Sequence, residues 1–202
     1  MPGLKKGENF NHPKTGQQIK AEPIKNLKDV RNIKKLLAEK PLDYALFVVG
    51  INTNLRASDL LNLRLDRVKN MKADQDIMVR EKKTGKEKRI TLNRACTDAI
   101  HNLCSWGKYK GGETGFLFTG QRGVITVPAL SLKVKKWCRS LNLEGNYASH
   151  TLRKTWAYHQ RVTFGTDLPH LMECLNHSSQ KITLAYICIQ PEEIRNIYKN
   201  QI

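Results

Sequence analysis

Six residues spread over most of the chain carry side chains able to break a phosphodiester: Arg56, Lys83, His150, Arg153, His177 and Tyr186. Arginines can grip two phosphate oxygens at once, and a lysine can protonate a leaving oxygen. Histidines move protons near neutral pH, and a tyrosine can attack phosphorus. Together they supply what is needed to cut a DNA strand without a metal.

Taken singly, each has a plainer reading. Arg56 opens the helical stretch Ala57-Ser58-Asp59-Leu60, where free N–H groups and the helix dipole favour a phosphate. Asp59 lies on the same face and could hold the guanidinium, yet a lone arginine there is more often a surface charge. His150 and Arg153 stand one turn apart on one helix face, anchored by Leu152 and Trp156, but an HxxR pattern is common by chance. His177 sits in Leu175-Asn176-His177-Ser178-Ser179, a polar turn after an apolar stripe, where it could simply cap a helix. Tyr186 follows it by nine residues among Ile182, Leu184 and Ile187, the setting of an ordinary core tyrosine. As a nucleophile it needs cations to stabilise its phenolate, since its free pKa is about 10. Lys83, in Arg80-Glu81-Lys82-Lys83-Thr84-Gly85-Lys86, is either part of a solvated turn or a proton donor made more acidic by neighbouring cations. Arg80, Lys82, Lys86 and Lys154 are candidate contacts to a DNA backbone.

The elements that must position these residues read as mainly α with a small antiparallel β-sheet. Residues 1–25 are polar, basic and rich in Gly, Pro, Asn and Gln, and are expected to form a flexible tail. The domain then spans 26–202. Asn26 caps a helix carried by Leu27, Val30, Ile33, Leu36 and Leu37. Pro41 opens a second, buried helix, and a third covers 57–63. The period then changes: 76–80 and 88–92 alternate as strands around Thr84-Gly85-Lys86-Glu87, a hairpin with Lys83 in its loop. Helices are expected over 93–106, 128–141, 149–163, 167–175, 180–188 and 191–199. Residues 108–115 read as a loop, and 117–118 as a short strand before a turn at 120–123.

Composition narrows the partner. Among 202 residues, Lys and Arg number 35 against 18 Asp and Glu, a net charge of +17 that points to a polyanion, nucleic acid first. The five cysteines are odd in number and form no CxxC pair, so reduced thiols in a cytoplasm are expected. No apolar run approaches the roughly 20 residues of a membrane helix.

In order and spacing, these motifs resemble the catalytic domain of tyrosine recombinases, the phage integrase family. The match runs through a "TGLRxSEL"-like string at 53–60, the hairpin lysine Lys83, the HxxR box of His150 and Arg153, an "LGHSS"-like string at 175–179, and Tyr186. The resemblance covers roughly residues 26–190. It implies that Tyr186 attacks the scissile phosphate to give a 3′-phosphotyrosyl bond and a free 5′-hydroxyl. It implies that Arg56 and Arg153 clamp the nonbridging oxygens, Lys83 protonates the leaving oxygen, His150 serves in acid–base chemistry and His177 hydrogen-bonds the phosphate. Neither ATP nor a metal is implied. The implied partner is double-stranded DNA, held by a homotetramer, with accessory DNA-bending proteins in some systems and a nucleoid location.

Three departures stand out. Asn54 and Asn176 replace common glycines, and Asn is the best non-glycine residue for a left-handed backbone. Thr151 stands where an Asp is common. Relatives also carry an N-terminal core-binding domain, where this chain shows only its short basic stretch. That leaves a minimal recombinase or half of a clamp. The competing functions are a type IB topoisomerase-like nicking-closing enzyme and a catalytically silent DNA-binding regulator. A zinc site has no supporting Cys/His spacing.

Overall fold

The computed structural model describes residues 20–188 together with 198, 199 and 201. Helix α1 (Leu27–Leu37) starts where the Asn26 side chain accepts from the Lys28 N–H at 2.8 Å, and it buries Val30, Ile33 and Leu37. Helix α2 (Pro41–Gly50) has Pro41 in its first turn and is buried continuously from Ala45 to Gly50. It runs through the middle of the body, packed on α5 (Arg94–Ser105). Each fully buried Leu, Val or Phe there contributes on the order of 1.5–3 kcal/mol. Gly50 is where α2 meets α8 (Ser149–Val162): a Cβ built on it would lie 2.6 Å from the Leu152 Cδ1.

The expected hairpin forms from β1 (Gln75–Arg80) and β2 (Glu87–Leu92), antiparallel from Gln75↔Leu92 to Arg80↔Glu87. Ile77, Ile90 and Leu92 face the core, so the period of two fixes the register. A second ribbon, β3 (Thr119–Gly120) with β4 (Gly123–Val124), forms around the 120–123 turn. Short helices α3 (Ala57–Leu61), α4 (Leu65–Val68) and α6 (Gly111–Thr114) complete the first two-thirds of the chain. The last of these falls in a stretch expected to be loop. Helix α7 (Val127–Ser140) packs Leu130, Val134 and Trp137 inward.

Helices α9 (Leu168–Leu175) and α10 (Gln180–Ile187) attach to α8 through a separate apolar cluster of Ala157, Leu171, Leu175 and Ile187, flanked by Trp156, Leu184 and Tyr186. The helix expected over 191–199 falls largely outside the described residues.

The tail boundary at 25 needs correction. Ile24 is 1% exposed, its N–H donates to Thr155 Oγ1 at 2.9 Å, and its carbonyl lies 3.0 Å from His159 Nε2. The Glu22 N–H bonds the Asn146 carbonyl. One buried isoleucine and satisfied backbone groups pin residues 22–24 to α8 and to the segment just before it, despite the polar composition around them.

Candidate active site

Arg56 is the N-cap of α3 and enters it from Asn54, whose φ of 52° is left-handed. Its Nη1 lies 2.5 Å from Glu81 Oε1. Burial pushes the Glu81 carboxyl up, but Arg56, the Thr84 hydroxyl and Lys88 outweigh it and hold its pKa below the ordinary value. Asp59, expected to hold Arg56, does something else. Its Oδ1 accepts the Lys82 N–H at 3.0 Å and the Ser58 hydroxyl at 3.3 Å, tying the hairpin loop to α3. The guanidinium reaches across to the hairpin, so its carboxylate partner comes from there and not from its own helix.

Lys83 lies exposed in the hairpin loop, with Lys82 and Lys86 exposed beside it. Arg80 is also exposed and donates from Nε to the Gly85 carbonyl at 3.1 Å, closing the turn. Lys88 points inward instead. Its Nζ donates to the Cys174 carbonyl at 2.7 Å, and burial, then the positive charge of Arg153, lowers its pKa to about 8.

Helix α8 supplies the next three groups. Arg153 is 4% exposed; its Nη2 donates to the Leu175 carbonyl at 3.0 Å, while its Nε has no hydrogen-bond partner. His150 lies at the site's surface, its imidazolium disfavoured by partial desolvation and by Arg153, Lys154, Arg56 and Lys83. Lys154 corrects an expectation. Rather than reaching out as a DNA contact it is 6% exposed, with its Nζ 5.0 Å above the Tyr186 ring and 3.3 Å from Cys188 Sγ. The small C-terminal cluster covers this part of α8, so the lysine faces the tyrosine.

His177 follows Asn176, whose φ of 57° ends α9 with a left-handed turn. Its Nδ1 is 3.0 Å from the Thr183 hydroxyl and its ring meets Tyr186 edge-on at 5.1 Å. Desolvation, Arg153 and Arg56 lower its pKa. Burial pushes the Tyr186 phenol up, while Arg153 and Arg56 pull it back without cancelling the rise. Mutual influence of this kind requires proximity: Arg56, His150, Arg153, His177 and Tyr186 share one basic site, and Lys83 reaches it through its effect on His150.

Glu81, Lys88 and Thr183 escaped the sequence reading. The signal for the first two is the strand alternation itself: Glu81 continues the inward series Ile77, Val79, and Lys88 precedes Ile90 and Leu92. Thr183 stands one turn before Tyr186 on α10, and so on the same face. Among the described residues no group of three His, Cys, Asp or Glu side chains is arranged to hold a metal ion.

A helical body with one principal hairpin, ending in a half-buried tyrosine beside two arginines, is the fold of the tyrosine recombinase catalytic domain. It is shared with XerA recombinase at a TM-score of 0.73 and 19% identity, over 92% of this chain and 66% of that one. It is shared too with XerH recombinase bound to palindromic difH substrate, at a TM-score of 0.68 and 17% identity, over 91% and 54% of the two chains. The chain belongs to the phage integrase family, whose model matches residues 23–193. It is 33% identical to the "Probable integrase/recombinase YoeC" of Bacillus subtilis over 88% of this chain and 95% of that protein. It is 31% identical to the tyrosine recombinase XerC of Caldanaerobacter subterraneus subsp. tengcongensis over 77% of this chain but 44% of that one.

Proposed function

We propose that this chain cleaves and rejoins duplex DNA at specific sites through a covalent bond to Tyr186. The observation that carries the reading is the setting of Tyr186: a half-buried phenol with Lys154 over its ring, within the electrostatic reach of Arg153 and Arg56. Cations so placed stabilise both the phenolate and the charge that develops on a pentavalent phosphorus. The unspent Nε of buried Arg153 is a donor that a phosphate oxygen would complete.

In this mechanism the Tyr186 oxygen attacks phosphorus, the 5′-oxygen leaves, and a 3′-phosphotyrosyl bond forms. His150, kept neutral by its surroundings, accepts a proton in the approach, and Lys83 at the hairpin tip gives one to the leaving oxygen. His177 donates to a nonbridging oxygen from Nε2–H. That tautomer requires Thr183 to donate to Nδ1 and release its long 3.4 Å bond to the Ser179 carbonyl. Arg80, Lys82 and Lys86 line the exposed hairpin and would hold the DNA backbone. Reversal by another strand's 5′-hydroxyl gives recombination.

The partner is double-stranded DNA, engaged by a homotetramer and in some systems by accessory DNA-bending proteins; the XerH neighbour is bound to its palindromic difH substrate. A cytoplasmic, nucleoid-associated location follows from that substrate. Among the described residues no helix is long and apolar enough to cross a membrane. The test is covalent trapping on nicked duplexes tiled from the DNA flanking the gene. A protein–DNA adduct formed by the wild type and lost in Tyr186→Phe is expected. Binding without any adduct would reverse the reading in favour of a silent DNA-binding regulator.

A further inference from the structure

The end of α9 has four carbonyls with no partner inside the helix, and the structure accounts for each. The His177 N–H bonds the Met172 carbonyl and the Asn176 N–H bonds that of Glu173, both at 3.0 Å, a left-handed capping turn. The Leu175 carbonyl accepts from Arg153 at 3.0 Å. The Cys174 carbonyl accepts twice, from Asn54 Nδ2 at 2.6 Å and from Lys88 Nζ at 2.7 Å. These donors come from the turn that introduces Arg56, from the catalytic hairpin and from α8. Each therefore ties an element bearing a catalytic group to the helix end that carries His177.

We propose that Asn54 and Lys88 are positioning residues that lock the end of α9, and with it His177, against the two phosphate-gripping arginines. The inference rests on the recombinase reading. Asn54 serves twice. Its backbone takes the left-handed conformation that a glycine would take as readily, and its amide makes a bond that a glycine cannot. Lys88 places a cation at the negative end of a helix, on the carbonyl that Asn54 also serves. The groups facing it are Arg153 from α8, Arg56 from the start of α3, Glu81 from the hairpin loop and Cys174 from α9. Apolar packing between α9–α10 and the main body is modest, since the C-terminal cluster holds four fully buried side chains, Ala157, Leu171, Leu175 and Ile187. Polar ties therefore carry more of the docking than they would in a thick core.

Four variants test this: Asn54→Gly, Lys88→Met, Lys88→Arg and the Gly/Met double. Hydrogen exchange of the amides at 172–177 reads the docking without any chemistry. It should quicken in Asn54→Gly and Lys88→Met and recover in Lys88→Arg. Adduct formation on the same nicked duplexes should slow roughly tenfold in Asn54→Gly and in Lys88→Met with DNA affinity unchanged, about the size expected for one hydrogen bond, and should recover in Lys88→Arg. The double variant should slow at least as much as the product, because only it leaves the Cys174 carbonyl without either donor. A 5′-phosphorothiolate duplex, whose sulfur leaves without a proton, should not rescue Lys88→Met. Rescue would make Lys88 a proton donor and overturn the proposal, as would unchanged exchange at 172–177. If wild type cleaves and the variants match it, the positioning role alone falls. If wild type forms no adduct, the recombinase reading falls and takes this role with it.

Discussion

The ammonium of Lys154 lies 5.0 Å above the centre of the Tyr186 ring, on a lysine that is itself 6% exposed. A cation over a π-face attracts the ring and stabilises a developing phenolate more strongly when both are shielded from water. Lys154→Met keeps the stem and removes the charge. It should slow adduct formation about tenfold while DNA affinity changes less than about twofold, because the group is turned away from solvent. Gel-shift titration and single-turnover trapping separate the two quantities. A loss confined to affinity would return Lys154 to the role of backbone contact.

Arg153→Ala should cost two to four orders of magnitude in cleavage, roughly what losing a preorganised charged donor costs elsewhere. It should also speed hydrogen exchange at 175–177, since the same guanidinium holds the Leu175 carbonyl. A slow enzyme with an undisturbed α9 would show that the contact to Leu175 is incidental.

Lys83→Ala should slow cleavage of ordinary DNA and recover on a 5′-phosphorothiolate substrate, whose leaving sulfur needs no proton. Lys83 makes this prediction distinct from the one for Lys88: one lysine is exposed at the hairpin tip, the other half-buried and bonded to α9. Equal rescue of both variants would mean that the two share the proton.

Stability should fall on the acid side of neutrality. His150, His159 and His177 all titrate below the ordinary 6.5 when folded, burial being the largest cause in each. Between the folded values and 6.5 the unfolded chain therefore binds more protons, so stability rises with pH through that window. It is fully present above 6.5 and is lost as pH falls through the folded values. Glu81 adds a loss of the same sign lower down, because its folded pKa lies below the ordinary 4.5. Urea midpoints measured in a constant-ionic-strength buffer series should decline from pH 7 downward. A midpoint that climbed on acidification would contradict the sign.

Gly50→Ala should destabilise the protein by about 1–3 kcal/mol, the usual cost of overpacking a full core. The new methyl would lie 2.6 Å from Leu152 Cδ1 and 3.2 Å from its Cβ, and Leu152 is itself buried. The companion Leu152→Ala, which opens that space, should recover part of the loss in the double variant. Thermal unfolding of the four proteins in the cycle measures it.

Local pattern alone was enough for the longer helices, the hairpin and the left-handed turn at Asn176, because each depends on residues a few positions apart, whereas the one-turn helices α4 and α6 carried too little periodicity to read. The six candidate site residues stood out for a similar reason, each lying in a short string with its own spacing. What those strings could not carry was partnership. Whether Arg56 pairs with Asp59 on its own helix or with Glu81 across the hairpin depends on how β1 and β2 lie against α3. Lys154 read as a DNA contact because a lysine in a basic stretch usually faces solvent, and only the docking of α10 turned it toward Tyr186. Lys88 was only the first residue of an expected strand, and the strand's inward face made it a donor to α9. Ile24 looked like part of a tail until α8 gave it a place to be buried. Secondary structure is written in neighbouring residues. Burial and the choice among competing donors and acceptors are settled only when distant elements meet and water is expelled between them.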